Sequence, residues 1–133
     1  MPALDTNVLI RWLTDDDARQ SAAISELLAS AAKKDQRLFI TVTVVMEIEW
    51  VLRSRYRFDR PSVTAALDAL LNVAELEFQS EPALEQALWL FKQAGSPDFS
   101  DCLHLALASQ AGPRPFLTFD ERAARLEGAL LVG

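Results

Sequence analysis

The chain has 133 residues, of which 50% are hydrophobic and 24% charged, a composition typical of one folded domain with its own core. No apolar run approaches the ~20 residues of a membrane span, so we expect no membrane segment. No secretory signal opens the chain, and the single cysteine, Cys102, excludes an internal disulfide, so we expect a cytoplasmic protein. The formal net charge of −6 leaves two alternatives: either nucleic acid is not the partner, or the negative charge is concentrated in a site that a cation neutralises.

The first half of the chain alternates between strand-like and helix-like segments. In chain order, we predict a very short strand, two helices, a strand, two helices and a strand, at residues 2–5, 7–13, 18–33, 38–42, 44–57, 61–71 and 73–78. Apolar residues at helical spacing support the helix at 18–33, with the acids at 15–17 as its start. Thr43 is expected to cap the helix that begins at residue 44.

The second half continues this alternation with shorter strands. We predict two helices, a strand, a short helix and a last strand, at about residues 80–94, 96–111, 116–118, 120–126 and 129–132. Gly95 ends the first of these helices, because glycine commonly follows a helix C-terminus. Strands that alternate with helices over short connections predict an α/β fold with a mainly parallel sheet of four to five strands, helices on both faces, and one domain over residues 1–133.

Acidic residues follow three of the predicted strands. Asp5 follows the first, Glu47 lies one turn into the helix after the second, and Asp120 follows the strand at 116–118. In open parallel sheets ligands bind at the carboxyl ends of the strands, so these acids predict a common site. Two interpretations of Asp5 stay open, since it can cap a helix N-terminus or bind a metal ion.

Glu47 competes with Glu49 for a place in this site. Both lie about equally far from the centre of the apolar face of their predicted helix, one on each flank, so helical periodicity does not distinguish them. The position of Glu47 nearer the helix start gives it a slight preference.

Two further acids belong to the segment "SPDFSDCLHLALA", residues 96–108. Pro97 suits the first position of a helix, which would place Asp98 in the first turn, where an acid stabilises a helix by ~0.3–1 kcal/mol. Asp101 precedes an apolar helix body, where an unpaired carboxylate is costly and must be neutralised, paired or bound to a metal. His104, one turn further on, is expected to be a packed, hydrogen-bonded helix residue.

Four segments together resemble the PIN domain family, and within it the VapC-type toxins of toxin–antitoxin pairs. They are "LDTNVLIRWL", "TVTVVMEIEWVLRSRY", "SPDFSDCLHLALA" and "FLTFDERAARLEGALLV", and they span residues 4–132 in the family's order. This resemblance implies a single PIN domain of three α/β/α layers. It also implies an endoribonuclease that depends on Mg²⁺ or Mn²⁺, acts as a toxin, is inhibited by a cognate antitoxin, and forms a homodimer.

The resemblance also assigns site residues. It selects Glu47 over Glu49 and implies that the catalytic, metal-binding acids are Asp5, Glu47, Asp101 and Asp120. Asp98 is a fifth acid, either a metal ligand or a helix-start residue. The hydroxyl groups of Thr6 and Thr118 stand next to acids in the sequence and are expected to support their carboxylates by hydrogen bonds.

Two other features leave alternatives open. Arg53, Arg55, Arg57 and Arg60 form a basic stretch, which is typical of a solvated helix C-terminus but also suits contact with RNA phosphates or with an antitoxin. The alternative to an enzyme is a non-catalytic PIN-fold module that binds antitoxin or RNA. Retention of four mutually repelling acids argues against this alternative.

Overall fold

A computed structural model describes residues 1–133, which divide into two compact units, Met1–Gln79 and Ser80–Gly133. The first unit contains α1 (Thr6–Thr14), α2 (Ala18–Lys33), β1 (Leu38–Ile40), α3 (Val42–Ser54), α4 (Arg60–Leu71) and β2 (Leu76–Phe78). The second contains α5 (Glu81–Lys92), α6 (Phe99–Gln110), β3 (Phe116–Thr118), a 3₁₀ turn (Ala123–Arg125) and β4 (Ala129–Leu131). None of the helices has both the length and the apolar character that crossing a membrane requires.

The sheet of the first unit is parallel. β1 pairs with β2, with Leu38 opposite Leu76, and Ala3 forms an isolated parallel bridge to Phe39 on β1. Leu38 and Ile40 are buried, since alternate residues of a strand point to the same face. The N-terminal segment therefore runs alongside β1, and this position leads the chain directly into α1.

Side-chain caps fix the starts of the helices in the first unit. Asp17 caps α2 and Asp59 caps α4, each by accepting a backbone N–H near the helix start. The prediction that Thr43 caps α3 is wrong. Thr41, in an extended conformation directly after β1, accepts the N–H of Val44 at 3.3 Å, so α3 begins two residues earlier than expected.

Apolar side chains on one face of each helix supply the buried core of the first unit. Those of α1 to α4 include Leu9, Ile10, Ile24, Ala31, Val45, Ile48, Leu52, Val63, Leu67 and Leu70. Burial of such side chains, at about 1.5–3 kcal/mol for each large one, is the main favourable contribution to folding. The same packing determines which face of α3 turns away from the core.

In the second unit, α5 packs against α6, and β3 pairs with β4 in parallel. Phe91 and Phe99 meet edge to face with ring centroids 5.6 Å apart, and Leu117 lies opposite Leu130 in the sheet. Gly95, between the two helices, has a φ of +74°, a conformation that glycine adopts without steric cost. The prediction that Gly95 ends α5 is wrong, because the helix ends at Lys92, where the backbone of Gln93 is already extended.

The α/β class with parallel strand pairing is confirmed. β1, β2 and β4 are shorter than predicted, with three residues each, whereas β3 has its predicted bounds. The four strands form two two-stranded sheets and not the predicted sheet of four to five strands. The strand predicted at 2–5 is reduced to the bridge at Ala3, and the helix predicted at 120–126 is the 3₁₀ turn.

Candidate active site

Asp5 stands at the junction between the bridge at Ala3 and the start of α1. It is the N-cap residue of α1, and its Oδ1 accepts the backbone N–H of Thr6 at 2.7 Å. The side chain is exposed, and its second oxygen has no protein hydrogen-bond partner. The capping interpretation of Asp5 is therefore confirmed, and capping leaves the carboxylate accessible to a ligand.

Thr6 connects this junction with α3. Its side chain is only 4% exposed, and its hydroxyl donates a short hydrogen bond to Oε1 of Glu47. Through its backbone N–H and its hydroxyl, one buried residue therefore bonds to the carboxylates of both Asp5 and Glu47. Within the first unit, two of the four predicted catalytic acids converge on Thr6.

The other candidate glutamate of α3 has a different environment. The side chain of Glu49 is only 3% exposed, and its Oε2 accepts a hydrogen bond from Nε of Arg53 at 2.8 Å. Glu47, on the opposite flank of the helix, is exposed. Our sequence prediction did not include the Glu49–Arg53 ion pair, although the spacing of four residues between acid and arginine was a signal for it.

In the second unit, Asp98 and Asp101 mark the start of α6. The helix begins at Phe99, so the prediction that Pro97 is its first residue and that Asp98 lies in its first turn is wrong. Asp98 is the N-cap residue with an extended backbone, a position that aspartate favours because its side chain can bond to free N–H groups. Here its side chain makes no capping bond and is exposed, and it is Asp101 that lies in the first turn.

The environment of Asp101 changes the pKa of its carboxyl group. Partial burial raises the pKa of its carboxyl group, and the negative charges of Asp120 and Asp98 raise it further, against a smaller opposing effect of His104. The carboxylate has no ion pair with lysine or arginine. Asp98 and Asp120 are thus each close enough to Asp101 to repel its carboxylate, and a bound cation would relieve this repulsion.

Asp120 is held by short-range hydrogen bonds after β3. Its backbone N–H donates to the hydroxyl of Thr118 at 3.0 Å, and its Oδ1 accepts the N–H of Ala123 at 2.8 Å, which starts the 3₁₀ turn. Thr118 therefore supports the backbone of Asp120 and not its carboxylate, in contrast to the predicted bond. Oδ2 of Asp120 has no protein partner.

His104 is placed differently from our expectation. Its ring is exposed and stacks on Phe116 with centroids 6.4 Å apart, and it makes no hydrogen bond. The prediction of a packed, hydrogen-bonded histidine is therefore wrong. Because β3 lies beside α6 only in the folded chain, helical periodicity gave no sign of this contact.

The donor groups of these acids suit a hard divalent cation. All are carboxylate oxygens, without an imidazole or thiolate ligand among them, which favours Mg²⁺ or Mn²⁺ over Zn²⁺. No group of three or more histidine, cysteine, aspartate or glutamate side chains is gathered closely enough to hold a metal ion. Mg²⁺ commonly takes one or two carboxylates and fills its remaining positions with water and substrate phosphate, so the residues fit such an ion in chemistry.

Comparison with known proteins adds two findings. A model of the family described as the PIN domain matches residues 3–129. The VapC ribonuclease of Aquifex aeolicus (strain VF5) is 25% identical over 127 residues, which cover 95% of this chain and 92% of that protein. The family match includes all the acids and hydroxyl residues described above.

Proposed function

This chain belongs to the PIN domain family, and from that premise we propose that it is a Mg²⁺- or Mn²⁺-dependent endoribonuclease that acts as the toxin of a toxin–antitoxin pair. The observation that carries the proposal is the similarity along 95% of the chain to a protein named a ribonuclease. The exposed carboxylates at the starts of α1 and α6 and after β3 support it, because hydrolysis of a phosphodiester bond by a divalent cation requires acids that remain accessible.

The proposed catalytic residues are Asp5, Glu47, Asp101 and Asp120, which would hold the cation partly through water. When bound, Mg²⁺ or Mn²⁺ would make water more acidic and stabilise negative charge at the phosphate. Asp5 keeps a free oxygen while it caps α1, and Asp120 keeps Oδ2 free while Oδ1 accepts a backbone N–H. Asp98 is proposed as a further, outer ligand, since its charge already acts on Asp101.

Two threonines are proposed to hold these acids in position. Thr6 restrains the side chain of Glu47 through its hydroxyl and that of Asp5 through its N–H. Thr118 restrains the chain that carries Asp120. Groups that orient ligating carboxylates commonly change metal affinity or activity by about 10–100-fold when they are removed.

The partners follow from the resemblance to VapC-type toxins. We propose RNA as the substrate, a cognate antitoxin protein as the inhibitor, and a homodimer as the assembly, with residues 1–133 forming a single PIN domain. A cytoplasmic location agrees with Cys102, which is buried and not part of a disulfide. The continuous family match over residues 3–129 supports the single domain.

The test is cleavage of total bacterial RNA by the purified, antitoxin-free protein, with Mg²⁺ or Mn²⁺ and with EDTA. Asp5→Asn is the informative variant, because asparagine can keep the cap on α1 while it removes the charge. Asp35→Asn is the matched control, an exposed aspartate with a φ of +52° that asparagine tolerates equally.

Discrete fragments that require both the metal and Asp5, and that the Asp35→Asn protein still produces, are the expected result. Absence of cleavage in every lane, with protein shown to be folded, would favour the non-catalytic module that binds antitoxin or RNA.

A further inference from the structure

A groove in the first unit lies between α1 and α2 and has a volume of about 540 Å³. Its walls combine side-chain amides and a guanidinium group with small apolar side chains, provided by Asn7, Val8, Arg11, Gln20, Ala23 and Ile24. Arg55, directly after α3, contributes a second guanidinium group. The volume falls within the range of about 300–1,000 Å³ typical of ligand pockets, so the groove can accept a group of nucleotide size.

The groove contains no carboxylate in its lining, although the chain has 19 acidic residues. Asp16 and Asp17, at the start of α2, already accept hydrogen bonds. Oδ1 of Asp16 accepts a hydrogen bond from Nη1 of Arg11 at 3.1 Å, and its Oδ2 accepts one from the hydroxyl of Tyr56 at 3.0 Å. Asp17 caps α2 through the N–H of Gln20. The lining therefore offers hydrogen-bond donors and positive charge in a protein that is acidic as a whole.

Arg55 provides the uncompensated part of that charge. The charge of Arg11 is balanced by Asp16, and Arg53 forms an ion pair with Glu49, whereas the guanidinium group of Arg55 is exposed and has no carboxylate or hydrogen-bond partner. An exposed arginine without a partner, beside apolar side chains and two amides, is suited to a phosphate group with a base or ribose attached.

We propose that this groove binds a single-stranded segment of RNA, with Arg55 contacting a phosphate group and the amides of Asn7 and Gln20 contacting a base or ribose. The inference rests on the proposed ribonuclease function. Asn7 lies two residues after Asp5, so the groove begins beside one of the proposed catalytic acids. RNA is favoured over an antitoxin segment as the occupant because the lining has cations and amides without a carboxylate, which complements a phosphate backbone.

The test measures binding of a fluorescein-labelled single-stranded oligouridylate by fluorescence anisotropy in EDTA, where metal-dependent cleavage does not occur. Kd is determined over a series of salt concentrations for the wild type, for Arg55→Gln and for Arg57→Gln. Arg57 is the matched control, since it is exposed, lies two residues away and is not part of the groove. Both variants lose one positive charge, so a difference in Kd between them depends on the position of the arginine and not on net charge.

We expect Arg55→Gln to weaken binding several-fold and to reduce the slope of log affinity against log salt by about 0.7, the value for one phosphate contact with a single strand. Arg57→Gln should leave this slope unchanged. Equal slopes for Arg55→Gln and the wild type would overturn the inference. So would loss of antitoxin binding by Arg55→Gln while its affinity for the oligonucleotide stays at the wild-type value.

Cleavage of total RNA in Mn²⁺ by the same proteins separates this inference from the function on which it rests. If the wild type cleaves RNA and Arg55→Gln binds and cleaves as Arg57→Gln does, the groove proposal fails while the nuclease proposal stands. If the wild type binds the oligonucleotide with an Arg55-dependent slope but cleaves nothing, the groove proposal stands and the nuclease proposal fails. If it neither binds nor cleaves, both fail.

Discussion

Replacement of Thr6 with valine isolates one hydrogen bond of the candidate site. Valine has nearly the same shape as threonine and keeps the backbone N–H that donates to Asp5, so the cap of α1 remains. The substitution removes only the hydroxyl that donates to Oε1 of Glu47. Glu47 would then lose the side-chain contact that restrains it, without a change of charge or of core volume.

The expected cost in stability is small. A hydrogen bond to a charged group contributes about 1.5–3 kcal/mol, but water can replace the lost donor because Glu47 is exposed. The added methyl group is buried, since Thr6 is 4% exposed, and this offsets part of the loss. We therefore expect the free energy of unfolding to fall by about 1 kcal/mol, which corresponds to a decrease in Tm of a few degrees.

The expected cost in activity is much larger. Removal of a group that orients a ligating carboxylate typically lowers metal affinity or turnover by about 10–100-fold. The assay follows the rate of RNA cleavage against Mn²⁺ concentration for wild type, Thr6→Val and Thr6→Ser, with denaturant unfolding of the same three proteins. Thr6→Ser keeps the hydroxyl and should retain most of the activity.

A Thr6→Val protein that cleaves RNA at the wild-type rate at every Mn²⁺ concentration would refute the role assigned to this hydroxyl. An equal loss in Thr6→Ser would refute it as well, because packing and not hydrogen bonding would then be the cause.

Three further predictions concern charges. Arg53→Met should lower the free energy of unfolding by about 2–3 kcal/mol, because it leaves the buried Glu49 carboxylate without this partner. The double variant that also carries Glu49→Gln should recover part of the loss in denaturant unfolding. If it shows no recovery, the carboxylate is not the cause. In EDTA, Asp101→Asn should raise Tm more at pH 7 than at pH 4. The pKa of the Asp101 carboxyl group is raised in the folded state, so the wild type loses stability as pH rises from the unfolded-state pKa through the folded-state pKa. An equal gain in Tm at both pH values would contradict this prediction. In an NMR titration, Asp120→Asn should lower the pKa of Asp101 more than Asp98→Asn does, because the charge of Asp120 has the larger effect on Asp101. The reverse order would count against the placement of Asp120 beside Asp101.

Local sequence determined much of the secondary structure. The helix predicted at 18–33 is α2, and the strand predicted at 116–118 is β3, with the same bounds. Both follow from interactions within a few residues, such as the cap provided by Asp17 and the apolar spacing along one helix face. The sequence likewise predicted that Asp5 and Asp120 follow extended segments. Each of them accepts a backbone N–H that starts the next turn, which is a local interaction.

Tertiary structure decided between residues that the sequence pattern could not distinguish. Periodicity placed Glu47 and Glu49 at equal angles from the apolar face of α3, and only packing buried Glu49 against Arg53 while Thr6 bonded to Glu47. Thr41 and not Thr43 caps α3, because β1 ends at Ile40, the last residue that pairs with β2. Local patterns act over one or two turns, whereas these choices depend on groups distant in sequence, so they are made only when the chain folds.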